Sequence, residues 1–305
     1  MPVPHRELKG VSVSIIGVGG SALGDISDES EVGRIVSEAL DNGINFFDNA
    51  WEYHDGKSEE LVGRALKGKR DQAFLMTKVC SHGRKREVAM QMLEDSLRRL
   101  QTDHLDLWQI HEVIYDNDPD FHFQPDGAVE ALTQAKKQGK VRFVGFTGHK
   151  DPDIHLKMLS HGYPFDTVQM PLNPFDKHYR SFQQRVIPEA KRQGLMPIGM
   201  KSMGGGGEPI KRGVVTPQEL LRYAMSVSGI LTTVSGMDSY DVFRQNLAVA
   251  QNFTPMSPAE MAALEGRVKQ LAGDGRLENY KATKLYDAAV GRRQHGFPSA
   301  KELPA

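Results

Sequence analysis

The sequence predicts an α/β protein whose eight parallel strands, each followed by a helix, close into a (β/α)8 or TIM barrel. Three observations predict it. Eight short apolar runs alternate with amphipathic stretches through most of the chain. Each run is bounded by Gly, Asp, Asn or His, the pattern of a strand buried on both faces. The chain has 305 residues, and a barrel of this kind typically needs ~250 plus insertions.

The strands are expected at 13–18, 44–47, 74–78, 105–110, 142–146, 167–169, 196–200 and 231–234. Amphipathic helices are expected between them at 29–40, 59–66, 86–100, 126–138, 151–159, 180–192 and 217–227. Thr216-Pro217 reads as an N-cap followed by Pro in the first helical position. The glycines of Asn42-Gly43, Gln138-Gly139 and Gln193-Gly194 read as helix C-caps. The competing fold is an open, doubly wound sheet, which wants G-x-G-x-x-G between its first strand and a helix. Gly17-Val18-Gly19-Gly20-Ser21-Ala22-Leu23-Gly24 supplies glycines, but no clear helix follows at once. Residues 1–305 are expected to form a single barrel domain, with a capped helix from about Ser257 and then a polar tail.

Bulk composition excludes several function classes. Lys and Arg (38) nearly balance Asp and Glu (39), so no global field recruits nucleic acid or an anionic membrane. One cysteine, Cys80, excludes a disulfide framework. No apolar run is long enough to cross a membrane, and the segment from Met1 to Gly10 lacks the apolar core of a signal peptide. A cytoplasmic location is expected. The histidines have no metal-ligand spacing, so no metal is expected. No feature specifies an oligomeric state.

In a barrel, reactive groups sit at the C-terminal ends of the strands. Taken in order, those ends carry Asp48 and then Tyr53, Lys78, and His111. A carboxylate, a phenol, an ammonium and an imidazole would then share one mouth. Each alone has a structural reading, as a turn cap, a packed ring or a solvated lysine. Together they suit proton transfer to a carbonyl oxygen. The ammonium is expected to lower the pKa of the phenol, Asp48 to hold Lys78, and His111 to orient the substrate oxygen. The hydride must come from a reduced nicotinamide.

The stretch Gly43-Ile-Asn-Phe-Phe-Asp48-Asn-Ala-Trp-Glu-Tyr53, with Gly56-Lys-Ser-Glu59-Glu-Leu-Val-Gly63, resembles the aldo-keto reductase signature. So do Met76-Thr-Lys78 and Leu105-Asp-Leu-Trp-Gln-Ile-His111, and the similarity runs to about Asn246. The resemblance implies Tyr53 as proton donor, with Lys78, Asp48 and His111 as its partners. Retention of His111, with Glu112 one position late, implies carbonyl rather than double-bond reduction. The substrate is then a small carbonyl compound or alcohol, and Trp51 and His54 are expected beside it.

The resemblance also implies cofactor contacts. Gly20 and Ser21 after strand one, Asp48, Thr147 and Gly148 after strand five, and Gln169 on strand six would face the nicotinamide half. Where the family places a stacking aromatic after strand seven, this chain has Met200, Lys201, Ser202 and Met203. Gly204, within the run 204–207, would approach the pyrophosphate. Gly236, Asp238, Gln245 and Asn246 would surround the adenosine. NADP(H) is the family's usual cofactor. Gly236, Asp238 and Val242 stand where NADP-preferring members carry Lys or Arg, which places NAD(H) close behind. Two other functions fit the same residues: a nicotinamide-binding regulatory barrel without turnover, and a phosphate-binding barrel lyase using Lys78 as a Schiff base.

Overall fold

The computed structural model describes residues 2–80, 85–299 and 302. It opens with an antiparallel hairpin, β1 (His5–Leu8) and β2 (Val11–Ser14). Eight parallel strands then follow: β3 (Ile16–Gly19), β4 (Phe46–Asp48), β5 (Phe74–Cys80), β6 (Leu105–His111), β7 (Val141–Thr147), β8 (Thr167–Pro171), β9 (Met196–Met200) and β10 (Thr232–Gly236). They close into the expected barrel, with β10 pairing back onto β3.

The period-two alternation of a strand explains how the barrel sorts its side chains. Inward-facing residues at the N-terminal end form one apolar plug that includes Phe46, Phe74, Met76, Leu107, Phe143 and Ile198. The rings of Phe46 and Phe74 stack at 5.2 Å, and those of Phe74 and Phe143 at 6.2 Å. Gly17 makes room for this layer, since a Cβ there would lie 2.5 Å from the Phe46 ring. Further along toward the C-terminal ends, the inward faces carry Asp48, Lys78, His111, Thr147 and Gln169. The polar residues therefore form a layer above the plug. Alternate positions such as Phe47, Leu75, Trp108, Val144 and Phe146 turn outward into the larger core beneath the helices.

The structure redraws three expectations. The run expected at 13–18 is two strands. Its first part belongs to the hairpin, whose Leu8 and Val13 join the inner plug and close the N-terminal mouth. The hairpin turns on Lys9 (φ 46°) and Gly10 (φ 83°), the left-handed pair that a two-residue turn requires. A helix does follow the first barrel strand at once, Gly20–Asp25, but its six residues are too few to show a helical period. The tail after 257 is not merely polar. Beyond the helix Pro258–Ala272, capped as expected by Ser257 and Glu260, it forms helices Asn279–Ala282 and Ala289–Gln294 and buries Tyr280 and Lys281. The helix Tyr240–Gln251 follows β10.

The seven helices expected between the strands lie where amphipathicity puts them, and Arg86–Leu100 matches its expected bounds, whereas the short helices Asp118–Phe123 and Glu208–Lys211 were not expected. The three glycine C-caps have φ of 87°, 73° and 76° at Gly43, Gly139 and Gly194. Among the described residues no helix is long and apolar enough to cross a membrane.

Candidate active site

Asp48 ends β4, Lys78 lies on β5 and His111 ends β6, and their register brings them to one mouth. Tyr53 arrives from the loop after β4. That loop is held from below by Glu59, whose side chain is fully buried. Glu59 accepts from Thr77 Oγ1 (2.6 Å) and from Arg99 (3.2 Å), and Arg99 also donates to the Trp51 carbonyl (2.8 Å). Ser58 Oγ donates to the Gly20 carbonyl at 2.6 Å. The Ser58-Glu59 pair thus fixes the loop that presents the phenol.

Lys78 Nζ donates to Asp48 Oδ1 at 2.6 Å and to the Asn49 carbonyl at 2.7 Å, with a longer bond of 3.4 Å to Tyr53 Oη. Gln169 Nε2 donates to Asp48 Oδ2 at 3.0 Å, so both oxygens of Asp48 are held. The Tyr53 and His111 rings meet edge to face at 5.5 Å. His111 Nδ1 is hydrogen-bonded to Glu52, a residue the sequence reading did not single out.

One expectation is corrected here. Burial, then the charges of Asp48, Glu52 and Glu112, push the Tyr53 phenol well above its ordinary value. The pull of the ammonium is outweighed, because Lys78 Nζ lies nearer Asp48 (2.6 Å) than Tyr53 Oη (3.4 Å). Tyr53 therefore holds its proton at neutral pH, which suits a donor. Burial also pushes the His111 imidazole below its ordinary value, against the pull of Glu52.

A cavity of about 660 Å³ opens above these groups and runs on past β9 and β10. Tyr53, His111 and Asp48 line one end, with Thr147, Gln169, Met200, Lys201, Ser202 and Met203 beyond them. Ser21 and the residues Gly236, Asp238, Gln245 and Asn246 line the other parts. Lys78 lies beneath this lining, and five other expected residues lie elsewhere. Gly20 sits behind its neighbours Gly19 and Ser21, which do line the cavity; a Cβ on Gly20 would meet the Asp48 carbonyl at 2.6 Å. Gly148 packs on the Val113 carbonyl. Gly204 packs under Leu277, and Gly205 and Gly207 take its place at the cavity. Trp51 turns to a separate cleft beneath the Arg99 guanidinium, 5.2 Å away. His54 turns back to the Ser21 carbonyl at 2.8 Å.

The sequence reading missed Glu52, Tyr286 from the tail, and Glu112 as a wall residue. Lys201 Nζ donates to Tyr286 Oη at 3.1 Å, which ties the tail to the mouth. Burial, then the charge of Glu52, raises the Glu112 carboxyl to about 8 against the pull of Lys201. The folded protein therefore binds a proton that the unfolded chain releases between 4.5 and about 8. Stability falls as pH rises through that window. Glu112→Gln should flatten the fall, as read from denaturant midpoints across the window.

The cavity suits a dinucleotide. Among the described residues Gln169 Oε1 is buried with no donor, beside Thr147, whose hydroxyl points to the Met200 sulfur at 3.8 Å. A carboxamide would satisfy both. At the far end Asn246 Nδ2 is fixed on Ser235 Oγ (3.2 Å). Gly19 keeps the backbone close here, since a Cβ would stand at a tight 3.1 Å from the Ser235 carbonyl.

Residues 15–208 match the Aldo/keto reductase family. Aldo-keto reductase YhdN of Bacillus subtilis (strain 168) is 32% identical over 197 residues, covering 60% of this chain and 56% of YhdN's own length. A 6-dehydroglucose reductase of Novosphingobium aromaticivorans is 30% identical over 223 residues, 68% of this chain and 71% of that one. Among solved structures, the holo form of aldo-keto reductase AKR11C1 from Bacillus halodurans superposes with a TM-score of 0.74 at 25% identity, covering 87% of this chain and 96% of that one.

Proposed function

The chain belongs to the aldo/keto reductase family, and from that premise we propose that it uses NAD(P)H to reduce an aldehyde or ketone to an alcohol, or runs the reverse. The observation that carries this reading is the meeting of Tyr53, Lys78, Asp48 and His111 at one end of a dinucleotide-sized cavity. A reduced nicotinamide, when bound, supplies the hydride. Gln169 and Thr147 would hold its carboxamide, Gly205 and Gly207 would approach its phosphates, and Gln245 and Asn246 would flank its adenine.

The chain's own residues handle the proton. Tyr53 donates it to the carbonyl oxygen, and His111 hydrogen-bonds the same oxygen and sets its angle. Asp48 and Gln169 keep Lys78 aimed at the Tyr53 oxygen, where its charge stabilises the phenolate left after donation. The Schiff-base alternative is disfavoured, because Lys78 is 1% exposed and engaged by Asp48. A change in nicotinamide absorbance with a panel of aldehydes and ketones tests the proposal. No change with any of them, despite cofactor binding, would favour the regulatory alternative.

The adenosine end favours use of NAD(H) beside NADP(H). Among the described residues that line it, none is Lys or Arg. Arg244, which could have met a 2′-phosphate, pairs with Glu38 at 3.5 Å. Asp238 lines the cavity and would repel that phosphate while accepting from a ribose hydroxyl. Asp238→Arg should shift the NADPH-to-NADH ratio of kcat/KM at least about tenfold toward NADPH, or ~1.4 kcal/mol.

A further inference from the structure

Glu52 stands between two openings. Its carboxyl lies against His111 Nδ1, while its residue also borders a cleft outside the mouth, together with Trp51, Asp55, Arg99 and Arg293. His111 lines the mouth and Glu52 does not. Both side chains are largely buried, at 10% exposure for His111 and 8% for Glu52. Among the described residues Glu52 Oε2 is buried with no side-chain partner, so the imidazole is the chief side chain that solvates this carboxyl. A charged carboxyl in a dry place, met by the imidazole and by its own backbone N–H, keeps the imidazole's proton on Nδ1.

The two ring nitrogens then have different duties. With one proton in the pair, Nδ1–H faces Glu52 and Nε2 offers the mouth a lone pair. That form accepts from a substrate hydroxyl and cannot donate to a carbonyl. With a second proton in the pair, Nε2 carries N–H and donates to a carbonyl oxygen. We propose that Glu52 is a positioning residue that decides, through His111, whether the mouth presents an acceptor suited to alcohol or a donor suited to carbonyl, with the outer cleft as the route by which the second proton arrives. The inference rests on the proposed carbonyl–alcohol reaction. It adds no bond change to that reaction; one proton enters or leaves the pair and is exchanged with water.

Other charged groups surround the ring. Asp48 on β4, Tyr53 on the following loop and Lys78 on β5 lie close to it, and Glu112, His149 and Tyr286 share the mouth with it. Substituting Glu52 alone separates its part from theirs.

The test is ¹⁵N NMR of imidazole-labelled protein without ligands, paired with pH profiles of reduction and oxidation. In the wild type, the neutral His111 ring should carry its proton on Nδ1. Reduction kcat/KM should fall about tenfold per pH unit above the point where the pair loses its second proton. In Glu52→Gln the amide can donate to Nδ1, so the neutral ring should switch to Nε2–H and the alkaline fall in reduction should disappear. Glu52→Asp, which keeps the charge but draws it back, should restore the fall in part. A wild-type neutral ring with its proton on Nε2, or a Glu52→Gln profile identical to the wild type, overturns the inference. Absence of any turnover with carbonyls or alcohols sinks the proposed reaction instead, and the NMR result still decides the role of Glu52.

Discussion

Tyr53→Phe is expected to lower kcat for carbonyl reduction by about 10²–10⁴-fold, or ~3–5 kcal/mol of barrier, while leaving nicotinamide affinity within about twofold. The ring stays in place because its packing against His111 and the Glu59-anchored loop does not need the hydroxyl. What disappears is the one proton aimed at the substrate oxygen from beside Lys78. Burial and three carboxylates keep that proton on the phenol. The loss should therefore appear in the chemical step and not in binding. Stopped-flow nicotinamide oxidation beside a fluorescence titration of cofactor separates the two. If turnover survives within a few fold, a group other than Tyr53 donates the proton.

The second large effect concerns the tail. Lys281 is fully buried and donates to Asp176 (2.7 Å), Glu278 (3.0 Å) and the Tyr179 carbonyl (2.9 Å). Asp176 in turn accepts from Ser181, Phe182 and Gln183, and Glu278 accepts from Tyr280 (2.6 Å). Lys281→Met removes the charge that pairs with two buried carboxyls, a change that costs about 3–5 kcal/mol. Burial already raises Glu278 to about 7 against the pull of Lys281. Without the lysine it rises further and takes up a proton more readily. The destabilisation should accordingly be larger above about 7 than below it. Denaturant unfolding on either side of that value reads both effects. The same segment brings Tyr286 to the mouth, so KM for the carbonyl substrate should rise as well.

The strand ends were legible because two signals coincide on them. Period-two alternation puts Asp48, Lys78, His111 and Gln169 on inward faces, and the Gly43–Gly63 motif marks the loop that carries Tyr53. Glu52 was not legible. Its partner lies 59 residues away, and only the adjacency of the β4 loop to the end of β6 brings them together. Trp51 and His54 flank Tyr53 in sequence yet face other ways, since His54 and Asp55 have left-handed φ (53° and 56°) and the chain turns sharply there. The direction of the Tyr53 shift was misjudged because residue order does not reveal that Asp48 claims the lysine. The buried tail escaped because its core is polar: Lys281, Glu278 and Asp176 read as surface residues until they are seen paired. The hairpin had a signal that could have been used, apolar Leu8, Val11 and Val13 about the turn Lys9-Gly10.

A crystal structure with nicotinamide dinucleotide and an aldehyde or carboxylate analogue tests the central claim most directly. The account places the substrate oxygen within about 3 Å of both Tyr53 Oη and His111 Nε2, with the carboxamide on Gln169 and Thr147. An oxygen out of reach of Tyr53, or a dinucleotide bound with its nicotinamide at the Asn246 end, would contradict it.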